Sequence, residues 1–111
     1  MDAYAEDVIL ALHGGPYADG EEAAAGKKAV GEWFGDCFSQ FDSSYRFEIN
    51  ESRNWGDRVF VVATHRGQGR GSGVPVTQQT TYVYTVREGK VSRVEVWSDR
   101  EAAFEAAGLS E

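Results

Sequence analysis

The sequence predicts an α+β fold, in which a curved, mostly antiparallel sheet packs on one amphipathic helix and the chain ends in a short helix. Three observations carry this. First, Val30, Trp33, Phe34, Cys37, Phe38 and Phe41 fall at i, i+3, i+4, i+7, i+8 and i+11, which makes one apolar stripe along a helix. Second, the segments 45–50, 58–66, 74–86 and 91–97 carry alternating and β-branched or aromatic residues, the signature of strands. Their links are short, and consecutive strands joined by hairpin-length links form an antiparallel sheet. Third, Ser98-Asp99-Arg100-Glu101 has the spacing of a capping box and precedes an Ala-rich run.

Residues 4–13 come first. Val8, Leu10 and Leu12 alternate with Ile9 and Ala11. Both faces are apolar, so this strand is either covered on both sides or lies in a subunit contact. Gly14-Gly15-Pro16 breaks it, and the loop runs on through Asp19-Gly20. Glu21–Ala25 reads as a separate turn or an extra turn of helix. The helix proper spans about 27–41, with Lys28, Glu32, Asp36 and Gln40 on its polar side. Gly26, Gly31 and Gly35 weaken it, each costing about 1 kcal/mol against Ala in a helix interior.

Asp42-Ser43-Ser44 is a turn. Tyr45, Phe47 and Ile49 then form the dry face of a strand, with Arg46, Glu48 and Asn50 on its wet face. Asn54-Trp55-Gly56-Asp57 turns the chain back. In 58–66, Val59, Val61, Ala63 and His65 share one face, and Phe60, Val62 and Thr64 the other. Gly67–Gly73 is a flexible connection. Tyr82, Tyr84 and Val86 alternate with Val83 and Thr85, and Glu88-Gly89 supplies the turn. In the return strand Val91, Arg93, Glu95 and Trp97 face one way, Val94 and Val96 the other. Gly108 stops the last helix. The predicted order is strand, helix, four strands, helix.

Composition narrows the class of function. The chain has 111 residues, so one domain over 1–111 is expected. Its formal net charge of −7 argues against nucleic-acid or anionic-membrane partners, which need a basic face to displace counterions. The single cysteine, Cys37, makes no internal disulfide, and no Cys/His cluster suggests a metal. No leader pattern and no membrane-length apolar run is visible. A cytoplasmic protein without cofactor or metal is expected.

Gly26-Lys27-Lys28-Ala29-Val30 followed by Trp33-Phe34 is similar to the helix start of the NTF2-like superfamily, the cone-shaped α+β barrels. Tyr84-Thr85-Val86-Arg87-Glu88-Gly89-Lys90-Val91 and Val96-Trp97-Ser98-Asp99-Arg100-Glu101-Ala102 resemble the closing hairpin and tail of its SnoaL-like, polyketide-cyclase-like branch. The likeness runs from about Tyr4 onward. It implies a sheet wrapped around the helix, an apolar cavity, and a homodimer. Members usually begin with helices across the mouth of the sheet. Here Met1 stands just before the first strand, so the start was lost or this is a short version. An uncovered mouth exposes apolar surface, a reason to expect a partner subunit there.

The resemblance also bears on chemistry. Enzymatic members place acids or other polar groups in the cavity, where burial shifts them toward acid–base work near neutral pH. One such acid sits on the last strand, three residues before the Asp that starts the final helix. Counting back from Asp99 gives Val96, which is apolar. Another lies close to His65, which supplies an imidazole instead. The candidate catalytic residues are therefore His65, Tyr82 and Asp99. The candidate pocket residues are Trp33, Phe34, Val61, Ala63, Tyr84 and Val96.

Each has a plainer alternative. Asp99 fits helix capping. His65 fits a strand-end histidine bonded locally, and the tyrosines fit core packing. Trp97 alternates away from Val96, toward the outer face or a subunit contact. Gly67–Gly73 contains GxGxxG by letter, but it leads into a strand rather than a helix, so no phosphate cradle is expected. Cys37 reads as an inert small hydrophobe. The leading functional expectation is a protein that binds a hydrophobic or polycyclic small molecule. The alternatives are an isomerase-, cyclase- or hydrolase-type enzyme using His65 and a tyrosine, and a dimeric interaction module with a filled cavity.

Overall fold

Among the described residues, six strands form one curved, unclosed sheet in the order β2–β1–β6–β5–β4–β3. The computed structural model describes residues 3–13, 21–39, 45–69, 71 and 73–106. The strands are β1 (Tyr4–His13), β2 (Glu21–Ala25), β3 (Arg46–Trp55), β4 (Arg58–Gln68), β5 (Pro75–Arg87) and β6 (Lys90–Trp97). The helix α1 (Lys27–Phe38) follows β2, and α2 (Arg100–Ala106) follows β6. Neighbouring strands are antiparallel except β1 and β6, which run parallel. The class is α+β as expected, with a sheet whose two edges stay apart.

The reading of Glu21–Ala25 as a turn is overturned. It is the edge strand β2, with Ile9 opposite Ala25 and Leu12 opposite Glu21. Its Ala and Glu residues favour helix intrinsically. The open edge of β1 and the burial of Ala24 against the core outweigh that preference. The order is therefore strand, strand, helix, four strands, helix.

Gly26 connects β2 to α1 with φ 94°, a backbone setting that favours glycine. Its N–H donates to the Val8 carbonyl at 2.8 Å, which ties the helix start to β1. The helix is described to Phe38, where the Ser39 N–H reaches the Gly35 carbonyl at 3.0 Å. The expected extension to Phe41, the loop at 14–20, the turn at 42–44, Arg70, Ser72 and the stop at Gly108 lie outside the described residues. Val30, Trp33 and Phe34 of α1 pack on Val8, Leu10 and Val94. This side of the sheet is its inner face. Ala11, on the opposite side of β1, is also fully buried, as expected for a strand covered on both sides.

The outer face carries α2. Phe104 and Ala103 pack on Phe60, Val62 and Val83, and Trp97 joins them. Trp97 thus takes the outer face, one of its two expected places. The Phe60 and Phe104 ring centroids are 5.2 Å apart. His13 ends β1 beside Trp97, stacked on it at 3.8 Å, with its Nε2 2.9 Å from Glu95 Oε2.

Bulges in β6 and β3 correct the simple alternation. In β6, Thr85 opposes Arg93 but Val86 opposes Val91, so Ser92 is an extra residue. Its hydroxyl donates to the Thr85 carbonyl at 3.2 Å. Val91 therefore joins Val94 and Val96 on the inner face instead of following Arg93 and Trp97. In β3, Ile49 opposes Ala63 and Glu51 opposes Val62, so Asn50 is extra. Such bulges shift every later side chain to the other face.

The expected dry face of β3 is also corrected. Phe47 is 44% and Ile49 62% exposed. β3 is the sheet edge, while α1 packs on β1 and β2 at the far side. The strand runs through Trp55, so the turn narrows to Gly56-Asp57. Glu88 and Gly89 both take positive φ, 54° and 77°, the requirement of a tight hairpin turn.

Candidate functional site

The β4–β5 register sets Val61 opposite Tyr82, Ala63 opposite Thr80 and His65 opposite Gln78. These residues share the inner face by strand alternation. Phe47 of β3 opposes His65. His65 and Tyr82 are each only 6% exposed, and their side chains meet diagonally. The His65 Nε2 lies 2.8 Å from the Tyr82 hydroxyl. On its other side, Nδ1 lies 2.6 Å from the Tyr45 hydroxyl. A buried imidazole is thus held between two phenols, and Phe47 closes against its edge at 5.1 Å.

The phenols continue along the face. Tyr82 and Tyr84 stack with centroids 6.3 Å apart, and the Tyr84 hydroxyl lies close enough to Tyr4 for each to influence the other's ionisation. Phe34 leans on Tyr82 at 6.4 Å and meets Trp33 edge-on at 5.2 Å. The Cys37 thiol of α1 is close enough to Tyr82 to influence its ionisation.

Burial pushes these groups further toward their neutral forms. It holds the His65 imidazole below its usual value of 6.5, so the ring is neutral near neutral pH. It raises Tyr45. It raises Tyr82 strongly, with further pushes from Tyr84, Tyr45, Cys37 and Tyr4. Tyr84 is raised strongly by burial and then by Tyr4. Burial and then Asp36 raise Cys37. The arrangement offers a ligand hydroxyl donors and acceptors without formal charge, set among apolar and aromatic side chains.

Among the expected pocket residues, Trp33, Phe34, Tyr84 and Val96 pack in one cluster on the inner face. Val61 stands beside Tyr82, and Ala63, fully buried, beside Thr80. Asp99 lies apart from them. Its Oδ1 accepts the Glu101 N–H at 3.0 Å, and its carbonyl accepts the Ala103 N–H at 3.1 Å, the pattern of an N-cap for α2. Two partners escape the sequence pattern. Tyr45 reads only as a strand residue until the β3–β4 pairing puts it beside His65. Tyr4 meets Tyr84 only through the parallel β1–β6 pairing. Among the described residues, no three His, Cys, Asp or Glu side chains could hold a metal together. No described helix is long and apolar enough to cross a membrane.

Solved structures share the fold. One is a Catenulispora acidiphila protein of ketosteroid isomerase-like fold, crystallised with trimethylamine. It matches with TM-score 0.70 and 16% identity over 98% of this chain and 79% of the other. TerC, co-crystallised with polyporic acid, matches at TM-score 0.67 and 24% identity over 94% and 79%. A Sinorhizobium meliloti protein assigned as a polyketide cyclase matches at TM-score 0.59 and 28% identity over 86% and 75%. No curated protein matches the chain. A family profile described as SnoaL-like domain matches residues 1–94. With this match and its α+β sheet, the chain belongs to the SnoaL-like domain family, within the NTF2-like fold.

Proposed function

We propose that the protein binds an uncharged, largely hydrophobic small molecule of the polycyclic or aromatic kind on the inner face of its sheet. The observation that carries this is His65, buried and neutral between the Tyr45 and Tyr82 hydroxyls. Polar groups that converge within an apolar face are the usual makeup of a small-molecule site. Small molecules accompany two of the fold's neighbours, trimethylamine in one and polyporic acid in another, which supports small-molecule binding by analogy. Trp33, Phe34, Val61, Ala63, Tyr84 and Val96 would supply the apolar wall, and Tyr82 the hydrogen bond to a ligand oxygen. Exposed Phe47 and Ile49 support a homodimer that covers them. Sedimentation would then give twice the 12.2 kDa chain mass.

A thermal-shift screen with aromatic polyketides, steroids and terpenoids tests the reading. A ligand at 100 times its dissociation constant adds about 2.7 kcal/mol. Tyr82→Phe should weaken such a hit about tenfold. A hit whose affinity ignores Tyr82→Phe and Phe34→Ala alike would move the site off the inner face.

The same imidazole favours a second reading, an enzyme that performs acid–base chemistry on such a molecule. His65 and Tyr82 would handle the proton in place of an acid at Val96. Turnover that persists in His65→Ala would remove this version.

A further inference from the structure

The partners of His65 differ in kind from those that usually fix a histidine. A carboxylate or backbone carbonyl only accepts, so it locks the imidazole in one tautomer. A phenol can donate or accept, and among the described residues His65 has two phenols at hydrogen-bond distance, 2.6 and 2.8 Å. A neutral ring donates from one nitrogen and accepts at the other. Two self-consistent arrangements follow. In the first, Tyr45 donates to Nδ1 and the Nε2 proton goes to Tyr82, whose own proton turns away from the ring. In the second, Tyr82 donates to Nε2 and the Nδ1 proton goes to Tyr45, whose own proton turns outward. The two ends sit differently: Tyr82 is 6% exposed, whereas Tyr45 is only half-buried, at the start of the edge strand.

We propose that Tyr45, His65 and Tyr82 form a proton relay from water at the sheet edge to a ligand held at Tyr82. The proposal rests on the inner face being the binding site. In the forward step, water gives a proton to Tyr45, and Tyr45 passes its own to Nδ1. The Nε2 proton moves to Tyr82, and the outward proton of Tyr82 moves to a basic atom of the ligand. Each member of the triad gains one proton and loses one. The ligand gains one that the solvent loses, and no oxidant or reductant is needed. Run backward, the same chain removes a proton from a weakly acidic O–H or C–H. Among the described residues, the groups around the triad include Phe47, Phe34, Tyr84 and the Cys37 thiol. An uncharged ligand becomes a cation in the forward step or an anion in the reverse step, and the solvent carries the balancing charge. Tyr82 touches the ligand; Tyr45 is a positioning residue that acts through His65.

The test needs no ligand. Side-chain 15N NMR of the full chain, at a pH where imidazoles are neutral, reads each histidine's tautomer. The sequence has two histidines, and His13 is an internal reference. Its Nε2 lies 2.9 Å from the Glu95 carboxylate, which only accepts, so His13 should show one fixed tautomer. His65 should show both nitrogens between the protonated and bare extremes, because both tautomers are populated. Tyr45→Phe should collapse it to a single tautomer while leaving the His13 signals in place. A wild-type His65 fixed in one tautomer overturns the relay, whatever the variant does. That result would leave the binding reading standing, since the ligand screen decides it separately.

Discussion

The Arg100 guanidinium grips both carboxylate oxygens of Glu51, with Nε 2.8 Å from Oε2 and Nη2 2.9 Å from Oε1. Arg53 adds a bond of 2.8 Å to Oε1. This pairing fastens α2 to β3 across the outer face. The two-pronged geometry is the strong form of a charged hydrogen bond.

Glu51→Gln is therefore expected to lower stability by about 1–2 kcal/mol, read as a shift in the urea midpoint with an unchanged slope. The pairing with Arg100 holds the Glu51 carboxyl below its usual 4.5. Its contribution is then present above the unfolded value and lost as pH falls through the folded one. Acid unfolding that is equally steep in Glu51→Gln would show that the grip contributes nothing.

Phe104 is the second fastening. It is 2% exposed, and the Arg53 and Arg100 guanidiniums sit 5.3 and 4.5 Å from its ring centre. Phe104→Ala is expected to cost about 3–5 kcal/mol. Hydrogen exchange should also report early loss of α2. A variant that melts within a degree of the wild type would place this helix outside the cooperative core.

At Asp99 the bond to Glu101 predicts a capping role. Asp99→Ala should cost ~1 kcal/mol, and Asp99→Asn a few tenths, because Asn caps nearly as well. Should Asp99→Asn instead abolish a ligand-dependent activity at unchanged stability, Asp99 would have a role in chemistry that capping does not explain.

His65 gives a pH prediction with a definite sign. Burial lowers its folded value below 6.5, so the unfolded chain binds the proton first. Stability should fall as pH drops below about 6.5, and the loss should end once the folded imidazole is protonated too. His65→Gln should flatten that part of the melting-temperature profile between pH 5 and 7. Parallel profiles for the two proteins would contradict a buried neutral imidazole.

What local chemistry decides is legible in the sequence. Ser98-Asp99-Arg100-Glu101 marks the start of α2, and Glu88-Gly89 marks the last hairpin, because caps and tight turns depend on residues a few positions apart. The stripe of Val30, Trp33 and Phe34 likewise finds its face, and alternation groups His65 with Val59, Val61 and Ala63 and Tyr82 with Tyr84, each within its own strand. What fails depends on distant partners. Glu21–Ala25 becomes a strand only because β1 has an edge to fill. Val91 changes sides only because Ser92 is accommodated opposite Thr85 and Val86. Tyr45 joins His65 through inter-strand register, which no pattern within a single strand contains.

The extra residue Asn50 gives β3 a reversal of phase halfway along its length. Before it, Phe47 and Ile49 look toward the imidazole side of the sheet. After it, Glu51 and Arg53 look toward α2, although all four positions carry odd numbers. The Thr64 hydroxyl donates to Asn50 Oδ1 at 2.6 Å and steadies the step. One strand thereby serves two opposite surfaces with a single run of sequence. Removing Asn50 would amount to turning half the strand over: Glu51 would lose Arg100 while every chemical group in the protein but one amide side chain stayed the same.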